Sequence, residues 1–305
     1  MRRALAGECA LGGGTPLVVA VSGGPDSMAL LHVLARVKAD FGLTLFAHGV
    51  DHGLRPEAAR ELDLAEAFAV KLNVPFGRTC VEVPPGGNVQ SRARDARWQA
   101  LRNVAVAHGA AIATAHHADD RAETVLMRIL RGAGVRGLAV LPPRSDAYAP
   151  AADASGDSFT AAESSVTVVR PLLRARREDI LLHLERHQVP FATDPSNANP
   201  RYLRTSVRND VLPLLAKLDP SIVRHLEALA DELVKIAPGG KSRAWQSALP
   251  RPTQEALEKL AASGSPDARV WLPGGLVVSL DPRARKRGVQ CRTVQARALQ
   301  DKPRG

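Results

Sequence analysis

Cysteine is scarce in this 305-residue chain: Cys9, Cys80 and Cys291 stand far apart, and no C-x-x-C pair occurs. That excludes a paired-thiol zinc knuckle, a four-cysteine iron–sulfur site and a disulfide framework. Aromatic residues make up only 4%, which argues against broad stacking platforms for bases. No apolar run approaches the about 20 residues that span a bilayer, so no membrane association is expected. The start, Met1-Arg2-Arg3-Ala4, is basic. Glu8 and several glycines follow it, where a secretory signal would place an apolar core. The expectation is a cytoplasmic location. No internal repeat is visible.

Hydrophobic residues amount to 45% and the formal net charge is +10. The first value supports a sizeable core in one large or two modest domains. The second fits a polyanionic partner, although an arginine-rich composition alone produces basic proteins as readily.

The first half of the chain alternates apolar strands with amphipathic helices. Strands are predicted at 17–21, 43–48, 74–83 and 111–115, with helices running from the first turn to about 38, then over 55–72, 89–108 and 119–131. This β–α order predicts an α/β fold: a parallel twisted sheet with right-handed crossovers and helices on both faces. Residues 142–165, rich in Ala, Ser, Asp and Gly after Pro142-Pro143-Arg144, read as a flexible insertion. Order resumes at 166–169. Helices are predicted over 176–187, 202–217 and 220–236, so a smaller, mainly helical second domain is expected over 218–305. Its last stretch, 283–305, holds eight Lys/Arg against one Asp and reads as a frayed basic tail.

Chemistry concentrates at strand ends. Ser22-Gly23-Gly24-Pro25-Asp26-Ser27 follows the run Leu17–Val21 directly. A buried strand emptying into a small-residue turn and then a helix presents backbone N–H groups to an anion. Asp26 would repel a bare phosphate, so its presence points to a bridging Mg²⁺. The string lacks the Lys of a Walker loop and the spacing of a dinucleotide-binding turn. A second string, Val50-Asp51-His52-Gly53-Leu54-Arg55, offers a ring nitrogen and a carboxylate to a nucleoside, but a plain turn at a helix start accounts for it more simply. The third is Thr114-Ala115-His116-His117-Ala118-Asp119-Asp120-Arg121-Ala122-Glu123-Thr124. Helical spacing sets Asp119, Asp120 and Glu123 near one face, while Ala122, Val125, Leu126 and Ile129 form the stripe expected to bury. Mg²⁺–phosphate binding with recognition of a cationic amine suits this cluster better than a closed zinc site. Arg131-Gly132-Ala133-Gly134 is either a helix C-cap or a phosphate clamp.

The opening string resembles the PP-loop of the ATP pyrophosphatase superfamily. Together with Arg94-Asp95-Ala96-Arg97-Trp98, Arg170-Pro171-Leu172-Leu173 and Asp194-Pro195-Ser196-Asn197, the three strings resemble the tRNA(Ile)-lysidine synthase family over about residues 16–215. That resemblance implies that Ser22, Gly23, Gly24, Pro25, Asp26 and Ser27 hold ATP and Mg²⁺, with His52, Arg94 and His116 completing the nucleotide site. It implies catalytic roles for Asp26, Asp119, His116 and Arg208, and lysine recognition by Asp120 and Glu123. The partners implied are L-lysine and an isoleucine tRNA with a CAU anticodon, and a homodimer is left open. Within this reading, residues 1–217 form the catalytic domain and 218–305 the tRNA-contacting one, as in short members of the family. The chain departs from the family pattern in three places. Trp98 stands where tyrosine is usual, Arg204-Thr205-Ser206-Val207-Arg208 lacks the common asparagine, and the 142–165 insertion is unusual in composition. Two rival readings are a PP-loop tRNA thiolase, which the missing C-x-x-C disfavours, and a non-catalytic nucleotide- or RNA-binding relative. Against the second stands the retained like-charge cluster.

Overall fold

A proline-led apolar run, Pro16–Val21, forms strand β1, and the helix α1 that follows (Pro25–Val37) begins as soon as the chain clears the glycine turn. The computed structural model describes residues 2–53, 55, 57–83, 89–147, 166–193, 203–236, 255–256, 259, 269–272 and 276–279. Two compact units are present, one of residues 1–124 and 140–231 and another of residues 125–139 and 232–305.

In the first unit, β2 is Thr44–Asp51, α2 Glu57–Lys71, β3 Phe76–Cys80, α3 Val89–Ala107 and β4 Ala111–Ala113. Helix α4 (Ala118–Leu130) starts in this unit. It is followed in the second unit by α5 (Val135–Leu138). Strands β5 (Arg144–Ala147) and β6 (Val166–Val169) return to the sheet, whose order is β3-β2-β1-β4-β6-β5. All pairings are parallel except β5 with β6. The α/β class and the parallel sheet with helices on both faces are therefore as expected from the alternation.

Each central strand is buried on both sides. On β1, Leu17, Val19 and Val21 pack with Leu30, Leu31 and Leu34 of α1 and with Ala65 and Phe68 of α2. The cluster continues to Ile180 and Leu184 of α6 (Arg177–Arg186). Val18 points the other way, joining Ile112, Val168 and the α3 residues Leu101 and Ala105, with Trp98 against them. Where α1 meets α6, His32 Nδ1 lies 2.8 Å from His183 Nε2, and the His187 ring packs tilted against both.

Because α1 and α2 carry the chain outward to β3, and α3 carries it back across β1 to β4, the strand order reverses between β1 and β4. Such a reversal opens a crevice at the carboxyl ends of the strands. Ser22–Ser27 follows β1, Asp51–Gly53 lies at the end of β2 and just beyond it, and Thr114–Thr124 follows β4, so these three strings start from that end.

Several boundaries differ from expectation. Residues 144–147 are an edge strand, although the segment 142–165 reads as a flexible loop; β5 pairs antiparallel with β6, and its Arg-Ser-Asp-Ala sequence has no apolar alternation to reveal it. Strand β3 is shorter and β2 longer than predicted. The expected helix over 202–217 is interrupted: α7 (Leu203–Ser206) passes through a π-turn at Val207–Val211 into α8 (Leu212–Leu218). Pro213 supplies the reason. It has no N–H to give the carbonyl four residues back and its ring crowds that carbonyl, so the turn before it widens. Ile129, placed on the buried stripe of α4 by its spacing, is exposed.

Helix α9 (Ile222–Ile236) closes the first unit with its part up to Asp231. Arg121, fully buried, donates to Val140 O at 3.2 Å and to Asp231 Oδ1 at 2.6 Å. Arg174 bridges the other Asp231 oxygen (2.7 Å) and Glu8 (2.9 Å). In the second unit, Gly132 ends α4 with φ +72°, a position that favours glycine, and Arg128 donates to Gly137 O. A hairpin of β7 (Arg269–Leu272) and β8 (Leu276–Ser279), absent from the sequence-based expectation, also belongs to it. The rest of the 142–165 insertion from 148 onward, the Asp194–Asn197 string, Cys291 and the basic tail lie outside the described residues. No described helix is long and apolar enough to cross a membrane.

Candidate active site

The turn after β1 is shaped by Gly23, whose φ is +80°. A Cβ there would sit 2.4 Å from the Glu61 carbonyl of α2, so no other residue fits without moving that helix. Gly24 caps α1 in extended conformation and Pro25 takes its first turn, where a missing N–H costs nothing. The Ser27 hydroxyl donates to Gly24 O (2.9 Å) and accepts from Ser22 N–H (3.1 Å), with Ser22 Oγ 3.3 Å away. Ala192 N–H closes on Gly23 O at 2.9 Å. The loop is thus locked before any ligand arrives, with the first N–H groups of α1 facing out of the helix end.

Asp26 stands in the first turn of α1. Its Oδ1 is buried and meets no hydrogen-bond donor. Burial pushes its carboxyl above the ordinary range, aided by the Asp120 charge and opposed by His117, Arg177 and Arg208. A partly exposed carboxylate with one orphaned oxygen, beside a helix N-terminus and serine hydroxyls, fits a magnesium ion, which takes few protein ligands. Among the described residues no group of three or more His, Cys, Asp or Glu side chains is placed to hold a metal ion.

On the far side of the crevice, β4 ends and α4 begins. His117 is fully buried, its Nε2 3.4 Å from Asp120 Oδ2 and 3.8 Å from Asp26 Oδ2. Burial alone would lower its pKa, but Asp119, Asp120 and Asp26 around it raise it. His117 therefore links the loop after β1 to the helix after β4. His116 behaves oppositely: burial pushes it down to about 3, and its Nδ1 is paired with Thr114 Oγ1 at 2.9 Å. It stays a neutral ring at physiological pH.

The three carboxylates of α4, expected to share one face, part company. Asp119 takes the Arg176 guanidinium (3.1–3.3 Å) and accepts the Arg177 N–H at 2.8 Å. Despite burial, these partners and His117 hold its carboxyl far below the usual carboxylate range. It fastens the start of α6 and is less available for chemistry than the sequence implies. Asp120 and Glu123 face the segment 203–211 instead. Arg204 Nη2 reaches Asp120 Oδ1 (2.7 Å) and its Nε reaches Glu123 Oε2 (2.8 Å). Arg208 Nε reaches Glu123 Oε1 (2.5 Å), and its Nη2 lies 3.1 Å from Glu123 Oε2 and 3.3 Å from Asp120 Oδ1.

Ser22–Ser27, His116, Asp119, Asp120, Glu123 and Arg208 thus converge on one end of the sheet. His52, in the turn after β2, keeps a buried Nδ1 without a partner, and burial with the nearby Arg97 lowers its pKa. Arg94 is exposed on α3; its charge is felt at His116 and Arg170. Three residues escaped the sequence reading. His117 is named there only within its string, Arg176 only as the start of a predicted helix, and Arg204 only within a string that departs from the family pattern. Only the recurrence of arginine at 204 and 208, one helical turn apart, hinted at a paired role.

The PP-loop domain family profile matches residues 9–215. A tRNA(Ile)-lysidine synthase of Symbiobacterium thermophilum is 37% identical over 229 residues, 72% of this chain and 44% of that protein. One from Rhodopseudomonas palustris is 40% identical over 205 residues, 66% of this chain and 54% of its own. The chain therefore spans about half the length of these curated relatives. In fold it is similar to the solved structure of the U34-tRNA thiolase NcsA from Methanococcus maripaludis with its 4Fe–4S cluster. The TM-score is 0.60 at 18% identity, over 77% of this chain and 78% of that one. With a match that runs from before β1 to within α8 and takes in every residue of the site just described, the chain belongs to the ATP-binding PP-loop domain family.

Proposed function

We propose that this protein ligates L-lysine to C2 of the wobble cytidine of the CAU-anticodon isoleucine tRNA, consuming ATP. The observation that carries the reading is the meeting, across one crevice, of a locked phosphate loop bearing Asp26 with the Asp120–Glu123 carboxylate pair. Similarity to lysidine synthases supports it. In the first step, cytidine O2 attacks the α-phosphorus of ATP, the bond to the β-phosphate oxygen breaks, and pyrophosphate leaves. In the second, lysine's amine attacks C2 and AMP departs with O2.

Ser22, Gly23, Gly24 and Ser27 grip the phosphates through backbone N–H groups and hydroxyls. Asp26 would hold Mg²⁺, which would supply charge neutralisation at the phosphates. Their rigidity supplies positioning and electrostatic stabilisation without reorganisation. His52, Arg94 and His116 border the nucleoside end, where a neutral His116 accepts or donates a hydrogen bond without adding charge. Asp120 and Glu123 recognise an ammonium group of lysine, and Arg208 stands beside the reaction centre. Asp119 contributes by fixing α6 and the His117 environment. Residues 1–217 carry this chemistry. Residues 218–305, with the net positive charge of the chain, contact the tRNA.

A thiolase reading finds no support among the described residues, where Cys9 is buried by β5 at one edge of the sheet and Cys80 ends β3 at the other. The test is incubation with CAU-anticodon isoleucine tRNA, ATP, Mg²⁺ and labelled lysine. Label in the tRNA, with one AMP and one pyrophosphate per lysine, is the expected result. No label, or incorporation of sulfur independent of lysine, overturns it.

A further inference from the structure

We propose that Arg204 is a stand-in for the substrate's ammonium group: its guanidinium fills the place on Asp120 and Glu123 that lysine takes, so that lysine binds by exchanging one cation for another. This rests on the reading of Asp120 and Glu123 as the lysine-recognising pair.

The geometry is a doubly used pair of oxygens. Asp120 Oδ1 receives Arg204 at 2.7 Å and Arg208 at 3.3 Å. Glu123 Oε2 receives Arg204 at 2.8 Å and Arg208 at 3.1 Å. Arg208 in addition holds Glu123 Oε1. Withdrawing Arg204 therefore vacates one position on each of two oxygens and leaves both carboxylates still partnered. An ammonium group, with three donors on one atom, can serve two such oxygens at once.

Charge dictates that the two cannot coexist. Two arginines balance two carboxylates, and Glu123 is only 1% exposed. A third cation added there would be uncompensated in a place where water screens little. Of the two arginines, Arg204 is the one placed to leave: its side chain is 39% exposed against 27% for Arg208, and it makes the fewer contacts with the pair. Retaining Arg208 keeps the site neutral with lysine bound. The same arrangement keeps the two acids from drawing an adventitious cation when substrate is absent.

The test is equilibrium dialysis of labelled L-lysine against the full chain, with ATP and Mg²⁺ and without tRNA so that nothing turns over. Arg204→Gln removes the competing charge and should bind lysine about fivefold more tightly, the order expected when a partly exposed charge pair no longer competes. Arg204→Lys, which keeps a cation but loses the two-pronged contact, should fall between that variant and the wild type. Free L-arginine, whose guanidinium matches the vacated place, should bind Arg204→Gln and not the wild type, a gain that a merely structural role would not produce. Melting temperatures establish that both variants are folded, and if the glutamine variant is not, the lysine variant still decides by binding tighter than wild type. Equal or weaker lysine binding by the folded variants overturns the exchange while leaving lysine recognition intact. Absence of saturable lysine binding in all three proteins overturns the lysine reading, and the exchange with it.

Discussion

Asp26 and Asp119 show how two carboxylates that flank the same histidine, His117, come to differ. Asp26 keeps an oxygen without a donor and a pKa raised by burial; Asp119 spends both oxygens on Arg176 and the Arg177 N–H, and its pKa falls. We expect Asp26→Ala to abolish pyrophosphate release while tRNA binding, measured by filter retention, persists; parallel loss of both would make the residue structural. Asp119→Ala should act on stability instead, by about 1–3 kcal/mol for the lost charged hydrogen bonds. Because the folded state lowers its pKa, the stabilisation from Asp119 is complete at neutral pH and declines as acid is added below the ordinary carboxylate range. Urea titrations should therefore show nearly the same gap between wild type and Asp119→Ala at pH 5 as at pH 7, narrowing only as the pH is taken well below the ordinary carboxylate pKa of about 3.9.

At the scale of elements, α1 and α6 are joined by a histidine contact whose pH response has a definite sign. His32 is 8% exposed, and burial with His183, His187 and Arg36 around it pushes its pKa down to about 4. The native state thus takes the proton less readily than the unfolded chain, whose histidines titrate near about 6.5. Stability should fall as pH drops from about 6.5 towards 4 and level off below. Thermal melts at pH 7.5 and 5 should show this loss, with His183 contributing in the same direction, and His32→Gln should reduce it. An unchanged difference would place the response elsewhere. Elements also mark where sequence reading stops. The phosphate loop was legible because all six of its residues are contiguous and their constraints local. The pairing of Arg204 with Glu123 joins residues 81 apart, and no periodicity reports it. Strand β5 escaped notice because an edge strand bonded on one side needs no apolar alternation. The π-turn escaped because helical periodicity across 202–217 is judged by side-chain pattern, while Pro213 acts on the backbone.

For the molecule as a whole, the buried ion network is a larger liability than any surface pair. Arg121 has no exposed surface, and Asp231 neutralises it at 2.6 Å. Asp231→Ala leaves a buried guanidinium with the Val140 carbonyl as its hydrogen-bond acceptor and the Glu227 carboxyl as its nearby charge, and a loss of about 3 kcal/mol is expected. Calorimetry checks it. A change below about 1 kcal/mol would mean that water reaches the site. The reversal of strand order between β1 and β4 has a consequence in time as well as in space. Strands β1, β2 and β3 can pair in the order in which they are synthesised, each with its neighbour along the chain. Strand β4 must return past two finished strands to register Leu17 with Ala111, and the arginines that complete the crevice arrive some ninety residues later still. Closing such loops is the slow part of folding. The ribosome therefore releases β1, β2 and β3, with the glycine turn after β1 already in place, well before the arginines that face that turn across the crevice.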